Sequence, residues 1–176
     1  MKHLLIVVDI QKDFVDGALG TAEAVAIVEN AAKKIRGFDG EIFVTYDTHF
    51  ENYMDTAEGA KLPVPHCIKG TEGWKLNATI AEALAGKKYV PVEKITFGST
   101  ELPKLVQETV ADEDFDVTLI GLCTDICVVS NALILKANFP EKEVYVDAAC
   151  CAGVTVDTHN AALATMRMCQ INIVGE

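Results

Sequence analysis

Six short apolar runs, separated by residues at helical spacing, constrain this chain more than any other feature. They fall at 4–8, 41–46, 89–92, 117–121, 144–146 and 171–174. Their near-continuous Val, Ile and Leu content suits strands covered on both faces. Between the first two, Val25, Val28, Ala32 and Ile35 share one face of a helix that closes at Gly37. Ser99 and Thr100 offer a cap, and Pro103 a first turn, for a helix carrying Leu102, Leu105, Val106 and Val110. Ile126, Val129, Leu133 and Ala137 mark another, stopped before Pro140. A further helix spans about 157 to 168. This alternation predicts a three-layer α/β/α fold with a doubly wound, mostly parallel six-stranded sheet of Rossmann-like topology. Half of the 176 residues are apolar and 23% are charged. A chain of that size and balance can bury about 70% of its unfolded surface unaided. One domain over 1–176 is expected, with an insertion at about 47–75.

Composition removes several function classes. Fifteen Lys and Arg face 26 Asp and Glu, a formal net charge of -11, so nucleic acid and anionic membranes are not expected partners. No apolar run reaches the 18 residues of a membrane span. The first residues superficially resemble a signal peptide, but the apolar stretch ends at Asp9, too short for an export signal. The six cysteines contain no CxxC pair. Reduced thiols in a cytoplasmic protein are expected, without a zinc ribbon.

In a doubly wound sheet, ligands bind at the carboxyl ends of the strands, near the point where strand order reverses. Asp9, Asp47 and Lys94 follow the first three runs, and Cys127 lies just beyond the fourth. The segment Gly121-Leu122-Cys123-Thr124-Asp125-Ile126-Cys127 passes from strand to helix. Capping by Thr124 or Asp125 would set Cys127 in a first turn, where free N–H groups and the helix dipole favour a thiolate or an oxyanion. Taken singly, Cys127 also reads as a buried small hydrophobe, Asp9 as a turn residue and Lys94 as a surface cation. Together they supply a nucleophile, a base and a positive charge.

The polar stretch from 47 to 75, with Pro63 and Pro65, is long for a loop inside a compact fold, and such loops are usually functional. It opens with Asp47-Thr48-His49, two alternate residues that project the same way, and continues to His66. One carboxylate and two imidazoles suit zinc, iron or manganese. The competing reading is two unrelated histidines in a polar loop. His3 and His159 are assigned no function. Cys67, Cys150, Cys151 and Cys169 are read as structural, and Trp74 as a cover for the pocket or an anchor for the loop.

Two segments carry a family resemblance. Asp9-Ile10-Gln11-Lys12-Asp13-Phe14 is similar to the D-x-Q-x-D-F opening of the isochorismatase-like cysteine hydrolases. Residues 121–128 resemble their G-[VL]-x-T-D-x-C-V nucleophile segment, and Lys94 stands where the family carries its lysine. The resemblance implies a triad of Asp9, Lys94 and Cys127. It also implies a cis peptide before Cys123 and an oxyanion hole from the N–H groups of Cys123 and Cys127. Asp47, His49 and His66 match the metal positions of the family's nicotinamidase branch, where some members add a glutamate about eleven residues after the aspartate; Glu58 fits that spacing, with a one-residue insertion before His66. Thr48 replaces a tryptophan common in that branch. Phe14 resembles an aromatic that packs on the substrate ring, although a core role is as natural; Phe50 and Phe97 are further candidates for the pocket.

The resemblance thus implies a metal-assisted amidase that converts nicotinamide to nicotinate and ammonia, with one divalent ion, acting in pyridine nucleotide salvage as a homodimer or tetramer. The alternatives are hydrolysis of another small amide, such as a ureido or carbamoyl compound, a catalytically silent paralogue, and a receiver-like regulatory domain using Asp9, Asp13 and Lys94.

Overall fold

The computed structural model describes residues 1–176. At its centre is a six-stranded sheet. β1 (Lys2–Val8), β2 (Glu41–Asp47), β3 (Val90–Lys94), β4 (Phe115–Leu122), β5 (Glu143–Ala152) and β6 (Asn172–Val174) are all parallel. They lie in the order β3-β2-β1-β4-β5-β6. The order reverses between β1 and β4, which opens a crevice beyond their carboxyl ends. A receiver-like domain, with order 2-1-3-4-5, is excluded.

Seven α-helices cover the sheet: α1 (Lys12–Val15), α2 (Ala22–Gly37), α3 (Ala57–Lys61), α4 (Ala78–Leu84), α5 (Leu102–Val110), α6 (Val129–Asn138) and α7 (Val156–Met168). β1 shows why both faces must be covered. Leu4, Ile6 and Val8 enter the core under α5–α7 with Val106, Leu135 and Leu163. Leu5 and Val7 enter the opposite core with Ala31, Ile35 and Ile80 of α2 and α4. Each of these β1 side chains is fully buried, which contributes roughly 1.5–3 kcal/mol apiece. No helix is long and apolar enough to cross a membrane.

Several boundaries move from those read in the sequence. β3 starts a residue later and includes Lys94 itself. β5 runs on to Ala152, past an irregularity in its pairing with β4 between Leu119 and Gly121. Val25 faces solvent; the buried face of α2 is Ala24, Ile27, Val28, Ala31, Ala32 and Ile35. On α6 the buried residues are Asn131, Ala132 and Leu135, with Leu133 only packed against the core margin. The stretch after β2 holds a 3-10 turn (Tyr53–Asp55) and α3, and α4 follows it, capped by the Asn77 side chain.

The two central strands meet closely where the site begins. Gly121 pairs with Val8 and has φ +123°. A Cβ there would lie 2.0 Å from the carbonyl oxygen of Val8, so only glycine fits.

Candidate functional site

Asp9 follows the last residue of β1 in a left-handed conformation, φ 45°, uncommon outside glycine and typical of functional turns. It is fully buried. Its Oδ1 accepts the Thr45 hydroxyl proton at 2.6 Å, and its Oδ2 lies 2.6 Å from Lys94 Nζ. Oδ2 has no other partner, which leaves it a free acceptor. Lys94, the last residue of β3, places the same ammonium 3.5 Å from Cys127 Sγ and 3.5 Å from Asp47 Oδ1. The ends of β1 and β3 and the turn after β4 therefore bring together the carboxylate, ammonium and sulfur anticipated from the sequence.

Burial governs the charges here. It pushes the Cys127 thiol well above the usual range, Asp9 adds to the rise, and Lys94 opposes it. Desolvation thus opposes the thiolate that a first turn would favour. Burial also lifts the Asp9 carboxyl above its ordinary value, with Lys94 pulling it back. For Lys94, burial acts to remove the proton, but Asp9, Cys127 and Asp47 outweigh it and hold the ammonium charged.

The Leu122–Cys123 peptide is cis, as the resemblance implied. Thr124–Val128 form a single π turn ahead of α6, and the Cys123 carbonyl accepts from the N–H groups of Ile126 (3.1 Å) and Val128 (3.0 Å). Neither Thr124 nor Asp125 caps this turn. The Asp125 carboxylate instead accepts from the Val154 N–H at 3.1 Å. Thr124 Oγ1 bonds His159 Nδ1 at 2.7 Å. Asn131, fully buried on α6, donates to the Cys127 and Phe97 carbonyls (2.8 and 3.2 Å) and accepts from the Ser99 N–H (2.9 Å). It fastens the turn that carries Cys127 to the loop after Lys94.

Asp47, His49, Glu58 and His66 converge, with one donor atom of each within 4.8 Å of all the others. Asp47 Oδ2 is 3.0 Å from His49 Nε2 and 3.5 Å from His66 Nε2, and Glu58 Oε1 lies 3.6 and 3.5 Å from the same nitrogens. His66 Nδ1 donates to the Val64 carbonyl at 2.8 Å, which fixes the ring so that a neutral Nε2 turns a lone pair toward two carboxylates. That arrangement needs a cation or a proton. The His66 imidazole is accordingly raised: burial would lower it, but Asp47, Val64 and Glu58 favour the proton more. Asp47 is held below the carboxylate range, since its bonds to the two histidines and the Lys94 charge overcome burial. Glu58 is raised by burial and by Asp47. Two imidazoles and two carboxylates at this spacing fit one divalent ion of the zinc, iron or manganese type.

A cleft of about 540 Å³ joins the two groups. Cys123, Cys127, Asp47, Glu58 and His66 all line it, and Phe14 and Phe97 are among its walls. Phe50 is not: it is 50% exposed and lies outside the cleft. Side chains alternate along extended chain, so His49 turned inward sends Phe50 outward. Trp74 anchors the loop rather than covering the pocket, donating from Nε1 to Thr48 Oγ1 at 2.9 Å. Cys169 is exposed, unlike the buried Cys67, Cys150 and Cys151.

Two residues of the first motif have tasks that the sequence reading did not give them. The fully buried Gln11 amide clamps the Asp47 main chain, accepting from its N–H at 2.8 Å and donating to its carbonyl at 2.9 Å. Asp13 accepts the N–H of Cys67, the left-handed residue after His66, at 2.8 Å. Their spacing from Asp9 was the available signal: one short segment holds Asp9, the strand end at Asp47 and the loop at His66 in register.

Comparison with known proteins agrees with this geometry. The chain is 30% identical over 187 residues to a nicotinamidase/pyrazinamidase of Mycobacterium tuberculosis, covering 97% of each. Pyrazinamidase of Pyrococcus horikoshii, solved in complex with zinc, superposes with a TM-score of 0.84 at 27% identity, covering 100% of both chains. A nicotinamidase/pyrazinamidase structure from Bacillus subtilis shares the fold, with a TM-score of 0.85 at 24% identity over 99% of this chain and all of that one. The isochorismatase domain model matches residues 3–175. With the fold, the strand-end constellation and near-complete coverage in agreement, the chain belongs to the isochorismatase family of hydrolases.

Proposed function

We propose that the cleft hydrolyses nicotinamide to nicotinate and ammonia through a thioester on Cys127. The observation that carries this reading is the sulfur–ammonium–carboxylate contact, 3.5 and 2.6 Å, with Cys127 lining the same cleft as Asp47, Glu58 and His66 of the four-donor cluster. Relatives named for nicotinamidase and pyrazinamidase activity support the substrate class.

Asp47, His49, Glu58 and His66 would hold one divalent ion, whose chemistry is Lewis-acid anchoring of a ring nitrogen. The chain's own groups do the rest. Phe14 offers its ring face to the substrate, while the carboxamide carbon faces Sγ. Asp9 Oδ2 takes the thiol proton, and Lys94 compensates the charge that moves onto sulfur. Sulfur attacks the carbonyl carbon, and the N–H groups of Cys123 and Cys127 receive the oxyanion; one such donor is worth about 3–4 kcal/mol in other enzymes. Asp9 returns its proton to the departing nitrogen, so ammonia leaves and a thioester remains. Asp9 then takes a proton from water as water attacks the thioester; collapse releases nicotinate, and the thiol recovers its proton.

An ammonia-release assay on metal-analysed protein, run with nicotinamide, pyrazinamide and a ureido acid, tests the reading. Release from the two ring amides with one divalent ion per chain is expected. Release from the ureido acid alone would overturn the substrate assignment.

A further inference from the structure

The chemistry above leaves His159 unused, yet its ring holds the only side-chain hydrogen bond that the Thr124 hydroxyl makes. Thr124 is fully buried and is the first residue of the nucleophile turn. The Cys123 end of that turn has no side-chain cap of its own. We infer that His159 is a positioning residue: through Thr124 it fixes the turn that presents the Cys127 sulfur and the N–H groups of Cys123 and Cys127. This rests on the proposed roles of those two cysteines.

The segment that holds His159 is built to be stiff. Thr155 caps α7 by accepting the Thr158 N–H at 3.1 Å, and Thr158 Oγ1 accepts the Thr155 N–H at 3.1 Å. This reciprocal capping box fixes the helical turn that carries the ring. The Asp125 carboxylate adds a second tie by accepting the Val154 N–H. Gly153 lets the first turn of α7 approach, since a Cβ there would sit 2.9 Å from His159 Cβ and from its main-chain nitrogen. The first two residues of the nucleophile turn are thus each bonded to the 154–159 segment. Neither Thr124 nor His159 lines the cleft or belongs to the four-donor cluster. Loss of the link should therefore disturb alignment without disturbing substrate or metal binding. A misplacement near 1 Å at a reacting centre costs about 100-fold in rate.

The test uses the metal-loaded full chain and whichever ring amide it turns over. In His159→Leu, kcat is expected to fall about 10- to 100-fold, with KM and metal per chain unchanged. His159→Asn, whose amide reaches the position of Nδ1, should recover to within about 3-fold of native. Thr124→Val should match His159→Leu, and the double variant should be no worse than either, because all three break one bond. Iodoacetamide labelling of Cys127, read by peptide mass spectrometry, gives a substrate-free measure: its rate should change in His159→Leu and return in His159→Asn. Native kcat and labelling in His159→Leu would overturn the inference. So would equal losses in the Leu and Asn variants, multiplied losses in the double variant, or a change in KM or metal content. If His159→Leu does not fold, the Thr124→Val and His159→Asn pair decides on the same criteria. If the native chain hydrolyses no amide, the proposed function fails, and the labelling comparison alone decides the role of His159.

Discussion

The two halves of the cleft are held in different ways. The Asp9–Lys94–Cys127 side is drawn from the ends of β1 and β3 and the turn after β4, and its charges compensate one another within the fold. The Asp47–His49–Glu58–His66 side is carried mostly by the excursion after β2, where Glu58 rides on the five-residue α3 and His66 follows Pro65. Its two carboxylates face two imidazoles with only the edge of Lys94 as a fixed cation. Asp9, Lys94 and Cys127 stand at strand ends or on the turn that follows one, whereas three of the four donors stand on the excursion between β2 and β3.

That contrast can be broken from either side. The largest effect is expected from Cys127→Ser, with ammonia release from nicotinamide down on the order of 10³-fold or more and metal content unchanged by elemental analysis. A variant that kept its rate would refute the covalent route. Lys94→Met strands the Asp9 carboxylate in a fully buried position, so stability in urea should fall by about 3–5 kcal/mol; a midpoint close to native would show that the pair is not locked into the sheet. On the other side, His49→Ala should weaken metal binding by at least about 100-fold and raise the nicotinamide KM, while Cys127 alkylates at its native rate. Slowed alkylation there would mean that the halves are mechanically coupled.

The smallest effect concerns pH. In the proposed mechanism Asp9 must be ionised to accept the thiol proton, and burial already lifts its carboxyl above the ordinary range. The acid limb of kcat/KM should accordingly lie above the usual carboxylate titration. The Thr45 hydroxyl stabilises the charged form through its 2.6 Å bond. Thr45→Val therefore raises the carboxyl further and moves the limb to higher pH; a limb that stayed put or moved down would remove Asp9 as the base.

The strand-end side was the more legible in sequence. A carboxylate that ends an apolar run, and a cysteine at a strand-to-helix junction, are conspicuous against their surroundings, as is Asp-x-His after a strand. Glu58 was accessible only through resemblance, because nothing in Ala57-Glu58-Gly59 distinguishes a ligand from a solvated helix residue. Gln11, Asp13 and Asn131 stayed silent because their partners are largely main-chain atoms, which leave no mark in composition or periodicity. Phe50 misled because proximity to His49 in sequence reverses direction in space. The end of β5 was missed because Asp147-Ala148-Ala149-Cys150 lacks the β-branched residues that announce a strand; pairing to β4 overrides propensity there.

The contact between Gly121 and Val8 carries an evolutionary consequence. Its obstacle is a carbonyl oxygen of the main chain, so no second substitution across the sheet could make room for a methyl group. A saturation library at position 121 should return a nearly empty column, and descendants of this sequence can drift around that site but not through it.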